Sequence, residues 1–140
     1  MACLRTIRRH LEPDGKLILD LFNPSLAVLT RDNVGEEVGE EAAFTMPDGR
    51  RVLRRSKIVS RDYSEQVNRS ELIYYVTYPD GNQERLVHAF PMRYLFRFEA
   101  EHLLARCGFE VQALYADYDK RPYGEGDAPE LIFVARKIEI

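Results

Sequence analysis

The side chains able to do chemistry fall at three points of this 140-residue chain. Asn23-Pro24 ends a short apolar run, Lys16-Leu17-Ile18-Leu19-Asp20-Leu21-Phe22. The run reads as a strand, and α/β sheets bind ligands at the carboxyl ends of their strands. The Asn23 amide can therefore meet a substrate, or cap a helix that has Pro24 at its first position. Asp20, inside the same run, either turns toward such a cleft or is held as a structural carboxylate. His88 stands between Leu86 and Phe90. There an imidazole can take a proton from a substrate hydroxyl or amine, or simply be held by a hydrogen bond. The third point is the junction Phe90-Pro91-Met92-Arg93-Tyr94. Its Arg93 can hold an anionic group or pair with Glu99, with Tyr94 beside it. Tyr74, Tyr75 and Tyr78 can line an apolar pocket or form a core. Tyr115, Tyr118 and Tyr123 read as aromatic packing beneath a loop. His10 and His102 have charged neighbours and read as solvated. No histidine–acid set has ligand spacing, so no metal is expected.

These residues need elements to position them. Residues 2 to 11 place Cys3, Leu4, Ile7 and Leu11 on one face of an amphipathic helix that must end near Glu12, because a residue before proline leaves the helical region. Pro13-Asp14-Gly15 then turns the chain into the strand at 16–22, whose apolar character predicts burial on both faces. Residues 31 to 38 read as a polar connection. Two further Pro-Asp-Gly turns, at 47–49 and 79–81, each lie between β-rich segments, and a third reversal falls at 61–64. The pattern predicts a four-stranded antiparallel meander over 40–46, 50–60, 64–78 and 83–90. Its second strand carries Arg50, Arg51, Arg54, Arg55 and Lys57 and its third Glu65 and Glu71, which suits cross-strand charge pairs. Leu86, His88 and Phe90 define the buried or ligand-facing side of the fourth strand. A second helix over 97–107 has Phe98, Ala100, Leu103, Leu104 and Cys107 as its apolar stripe and stops at Gly108-Phe109. A strand at 110–117, a loop at 118–129 and a closing strand through 131–135 follow.

Composition sets the outer limits. Hydrophobic residues make up 45% and charged residues 31% of the chain, as in an ordinary soluble domain. A net charge of -3 argues against a general nucleic-acid binder. No apolar run approaches the ~20 residues needed to span a bilayer, and the first ten residues lack the apolar centre of a secretory signal. A cytoplasmic protein with reduced, buried Cys3 and Cys107 is expected.

The ordered set of elements is more specific than any one of them. Leu4 to Asp20, the segment Arg93-Tyr94 ahead of a helix that holds Glu101 and Leu103-Leu104, Cys107-Gly108-Phe109-Glu110-Val111, and Glu130 to Lys137 follow one another. This order resembles the C-terminal half of a class I S-adenosylmethionine-dependent methyltransferase. The resemblance covers almost the whole chain and implies an α/β to α+β fold. In it, the last three strands of a Rossmann-like sheet have the final strand inserted antiparallel between the other two. Residues 1–30 and 91–140 would form the methyltransferase-like part of a single domain, and 39–90 an inserted antiparallel lid.

In the complete family enzyme S-adenosylmethionine is the cofactor, held by a Gly-rich turn after a first strand and an acid ending a second. Neither has a counterpart here, so no cofactor-binding residue is assigned and no cofactor is expected on this chain alone. The substrate would be a small molecule, met by Asn23, His88, Arg93 and Tyr94; the catalytic residues are unassigned. Two functions follow: the substrate-side part of a small-molecule methyltransferase, inactive unless completed, or a non-enzymatic dimeric module that keeps part of the fold. An open apolar edge on the 16–22 strand would favour a homodimer or larger assembly.

Overall fold

The computed structural model describes residues 1–39 and 42–138. It divides into two compact units, one formed by Met1–Leu26 with Tyr94–Ile140 and the other by Ala27–Arg93. No described helix is long and apolar enough to cross a membrane.

The first unit holds α1 (Ala2–His10), β1 (Lys16–Phe22), α3 (Arg97–Arg106), β7 (Phe109–Tyr115) and β8 (Glu130–Lys137). Its sheet has the order β1-β8-β7, with β8 antiparallel to both neighbours. The expected insertion of the last strand is therefore present. Alternation then decides what is buried. Leu131, Phe133 and Ala135 of β8 are 0% exposed and meet Ala100 and Leu104 of α3, Cys107 just beyond it and Phe109 of β7. Leu4, Ile7 and Leu11 of the α1 segment and Leu17, Leu19 and Leu21 of β1 pack against the same cluster. Each fully buried leucine or phenylalanine contributes about 1.5–3 kcal/mol, so this one face holds the unit together.

Several expectations fail on the opposite face. β1 is not buried on both sides: Lys16, Ile18 and Asp20 are exposed, Ile18 at 69%. Leucines at 17, 19 and 21 already satisfy the helix-covered face, and Ile18 is an apolar residue on the other one. Cys3 is exposed while Cys107 is buried. Phe98 is 66% exposed and leaves the α3 stripe for the Arg97 guanidinium, 5.1 Å from its ring centre. Arg97 also pairs with Glu101 at 2.9 Å, one helical turn on.

α2 (Leu26–Leu29) is a single turn. It begins too late for Asn23 to cap it or for Pro24, which is fully buried, to open it. The second unit then contains β2 (Glu37–Val38), β3 (Phe44–Thr45), β4 (Arg51–Asp62), β5 (Val67–Thr77) and β6 (Gln83–Arg93). The meander has five strands rather than four, in the order β2-β4-β5-β6 with β3 also on β4. The strand expected over 40–46 is only Phe44–Thr45 within the described residues, and 40 and 41 lie outside them. Part of the supposed polar connection supplies β2 instead. Its Glu37 accepts the Tyr75 hydroxyl at 2.6 Å and an Arg85 nitrogen at 2.7 Å. The Tyr75 bond first and Arg85 second hold the Glu37 carboxyl below its ordinary range. That short strand is recruited by a side-chain network, which hydrophobic patterning does not register.

The Pro-Asp-Gly repeats are two kinds of turn. At 47–49 and 79–81 the glycine takes φ of 87° and 89° and closes a type I turn, with Gly49 N donating to Met46 O and Gly81 N to Tyr78 O, both at 2.9 Å. Asp48 and Asp80 each accept the backbone N–H two residues on, at 3.1 and 3.0 Å. In Pro13-Asp14-Gly15 the positive φ, 61°, falls on Asp14 instead. Gly15 is needed for closeness: a Cβ there would meet Glu12 O at 2.8 Å and Leu11 Cβ at 3.0 Å. Gly15→Ala is therefore expected to lower stability by about 1–3 kcal/mol, the strain of forcing an atom into a filled site. Urea unfolding followed by circular dichroism measures this. An unchanged midpoint would mean that the turn yields freely.

Candidate functional site

The carboxyl end of β1 gathers several of the first unit's polar side chains. Asp20 lies opposite Ile132 and Phe22 opposite Glu130 in the β1–β8 ladder, on the face away from the helices. The loop 116–129 is tied to this end at three points. Asn23 N donates to Pro129 O at 3.1 Å, and Asn23 Nδ2 donates to Ala128 O at 2.6 Å. The Tyr118 hydroxyl donates to Asp20 Oδ2. Within the loop, Asp119 accepts Arg121 N at 2.9 Å and Nε at 2.7 Å, and Arg121 reaches Asp117 at 3.4 Å. The Arg97 guanidinium also lies 5.1 Å from the centre of the Tyr123 ring.

The charges at this end are mainly negative. Burial first, then Asp20 and Asp117, push the Glu130 carboxyl above its ordinary range. Its proton is thus held more tightly than that of a free glutamate. The bond to Asp20 pushes the Tyr118 phenol up. Asp119 is held low by its bond from the Arg121 backbone N–H. Such a set accepts hydrogen bonds from hydroxyl and amino groups and favours a cationic guest over an anionic one.

The structure redistributes the residues singled out in the sequence. Asn23 stands at this end, but its amide ties down the 128–129 backbone in place of the expected helix cap. Asp20 is exposed, not enclosed in a buried strand, and accepts Tyr118. Tyr118 is itself 71% exposed and does not pack beneath the loop. His88 belongs to the second unit, where it is exposed and stacked on Phe90 with centroids 5.3 Å apart. Leu86 is 46% exposed, so the expected buried side of this strand is absent. Arg93 is the exposed last residue of β6, and Glu99 accepts Phe96 N at 3.3 Å at the start of α3. Tyr94 is 4% exposed, edge-to-face with Phe96. Glu130 and the Tyr118–Asp20 bond were missed; the Asp117-Tyr118-Asp119 triplet in a polar loop was the available signal. Among the described residues no cluster of metal-ligating side chains is found.

No family model and no curated protein matches the chain. Solved structures do. A Clostridium acetobutylicum S-adenosylmethionine-dependent methyltransferase aligns with a TM-score of 0.69 at 10% identity, over 97% of this chain and 50% of its own. CalS10, an amino pentose methyltransferase from Micromonospora echinaspora solved with S-adenosylmethionine bound, aligns at 0.65 and 21% identity, over 97% of this chain and 49% of its own. KedS8, a sugar N-methyltransferase from Streptoalloteichus, aligns at 0.64 and 20%, over 97% and 47%. The chain shares its fold with half of a methyltransferase. It spans about half the length of the solved structures that it matches.

The residues present do not fit S-adenosylmethionine. A cofactor turn needs glycines between a strand and a helix, so that backbone can approach the ligand. The Gly124-Glu125-Gly126 sequence lies in the loop before β8 and opens no helix. Gly15, Gly39 and Gly49 approach Glu12 O, Arg54 O and Pro79 Cγ, so their close contacts are with the chain itself.

The Tyr118–Asp20 bond gives a spectroscopic signature. Because the phenol pKa is raised, the bond's contribution to loop stability is complete below the ordinary tyrosine value and begins to fall there. That contribution is lost as pH rises through the elevated value. Subtracting the ultraviolet titration of Tyr118→Phe from that of the unaltered chain is expected to leave one late-titrating phenol. Asp20→Asn should return it to the ordinary range. If the difference curve already titrates there, the bond does not form in solution.

Proposed function

We propose that this chain is the acceptor-side, C-terminal portion of a small-molecule methyltransferase. A Gly-rich cofactor half, in the same polypeptide or another, completes the enzyme and holds S-adenosylmethionine as methyl donor. The observation that carries this reading is the near-complete alignment of the chain onto about half of each matched methyltransferase. Asp20, Glu130 and Tyr118 at the carboxyl end of β1 are the groups we assign to the acceptor. Two of the matched proteins are described as acting on an amino pentose or as a sugar N-methyltransferase. Carboxylates suit an acceptor that carries an amine and hydroxyls, because they accept hydrogen bonds from both. Methyl transfer draws on alignment and exclusion of water more than on a nucleophile–base pair, so a site that only orients the acceptor is sufficient.

The chain alone is expected to bind S-adenosylmethionine no more tightly than about 1 mM, equivalent to roughly 4 kcal/mol. Isothermal calorimetry decides it. Micromolar binding by this chain would overturn the view that the other half holds the cofactor.

A second reading, a non-enzymatic dimeric module, is favoured by β6. All but two of its eleven residues are exposed, and its outer edge has no strand partner among the described residues. A long edge strand with exposed Leu86 and Val87 offers unpaired N–H and C=O groups to another chain. A homodimer in solution is expected. Light scattering that finds a monomer at micromolar concentration removes this reading and leaves the first intact.

A further inference from the structure

The first unit has a second concave feature, on its helical side. A cleft of about 530 Å³ is lined by Arg5, Thr6, Arg8 and Arg9 of α1 and by Arg106 at the end of α3. Among the described residues four arginines meet there and no carboxylate does. Arg5 stands three and four residues before Arg8 and Arg9, so the three share a helix face and repel one another. α1 itself contains no acidic residue.

Five arginines elsewhere are ion-paired, whereas others, such as Arg51, Arg69 and Arg93, have no ion pair among the described residues. Arg50, Arg85, Arg97, Arg121 and Arg136 each pair with a carboxylate at 2.7–3.4 Å. Among the described residues Arg5, Arg9 and Arg106 have no such partner. Arg9 reaches only the Thr6 hydroxyl, at 3.3 Å. Arg8 donates from Nη2 to Ile138 O at 2.7 Å, while its Nε is buried without a partner. Among the described residues of a chain of net charge -3, four arginines thus converge at one concave place that no carboxylate lines.

The chemistry of the guest follows. The cleft has the size of a small-molecule site. Guanidinium forks match the paired oxygens of phosphate, and a threonine hydroxyl adds another donor. The overall negative charge opposes an extended nucleic acid. We propose that this cleft binds a compact, multiply charged phosphate group, either free diphosphate or the diphosphate of a larger metabolite. The site is independent of the methyl-transfer reading.

Calorimetric titration of the chain with inorganic pyrophosphate tests it. Saturable one-to-one binding is expected, weakening as salt rises from about 0.05 to 0.2 M. The double substitution Arg5→Ala with Arg106→Ala should weaken binding about tenfold or more, since bonds between charged groups are lost. Arg5→Lys with Arg106→Lys should weaken it less, and Arg69→Ala, an exposed arginine of β5, should leave it unchanged. Adenosine diphosphate separates the two sources. Tighter binding than pyrophosphate assigns the site to a larger metabolite, and equal or weaker binding assigns it to the free anion. Absence of pyrophosphate binding up to about 10 mM, or equal binding by the unaltered chain and a folded double-alanine variant, would overturn the proposal.

Discussion

The first unit depends on one constraint, the position of β8. Among the described residues it is the only strand there with ladder partners on both sides, and it lies antiparallel to β1 and to β7. Because side chains alternate along it, one register sets both faces at once. Leu131, Phe133 and Ala135 go under the helices, and Glu130 and Ile132 go to the face where Asp20 stands. A slip of one residue would exchange those sets, burying Glu130 and exposing Phe133. The core and the acidic end of β1 are therefore one decision of packing. Asn23 and Tyr118 then hold the loop before β8 against that end, so the elements that fix the strand also fix the chemistry beside it.

The second unit is arranged differently. Its long strands β4, β5 and β6 are joined by short reversals, and charge pairs such as Lys57–Glu71 at 2.8 Å lie directly across the ladder. Ile73 and Val76 are buried on opposite faces of β5, the central strand. β2 joins through Glu37, Tyr75 and Arg85, three residues that lie far apart along the chain. Hydrophobic burial is concentrated on the middle of the sheet and falls away toward β6, whose exposed side chains leave the edge open.

The elements legible in the sequence were those defined by local chemistry. The three Pro-Asp-Gly turns, the α3 stop at Cys107-Gly108-Phe109 and the apolar run of β8 all follow from propensities acting over a few residues. Which face of β1 is covered did not follow, because Ile18 interrupts an otherwise clean alternation of leucines with polar residues. The meander's extra strand and the shrunken β3 were also hidden, since side-chain hydrogen bonds recruit β2. At the site, Asn23 and Asp20 could be placed near one strand end from their position in the run. The Tyr118–Asp20 bond joins residues 98 apart, and no spacing rule reaches across that interval. Burial along β6 was harder to read: apolar neighbours of His88 suggested a buried or ligand-facing side, and among the described residues that strand is an exposed edge.

The pairing of β1 with β8 also has a consequence in time. Lys16 to Phe22 are synthesised well before their strand partner among the described residues, Glu130 to Lys137. At roughly 5–20 residues per second, β1 waits about 5–20 s for β8 to be made. The β4–β5 and β5–β6 hairpins need only their own short loops and can close within microseconds once they emerge. Translation thus imposes an order in which the middle of the chain folds first, while Leu17, Leu19 and Leu21 remain uncovered. The nascent chain passes through an interval of exposed apolar surface that the finished fold conceals.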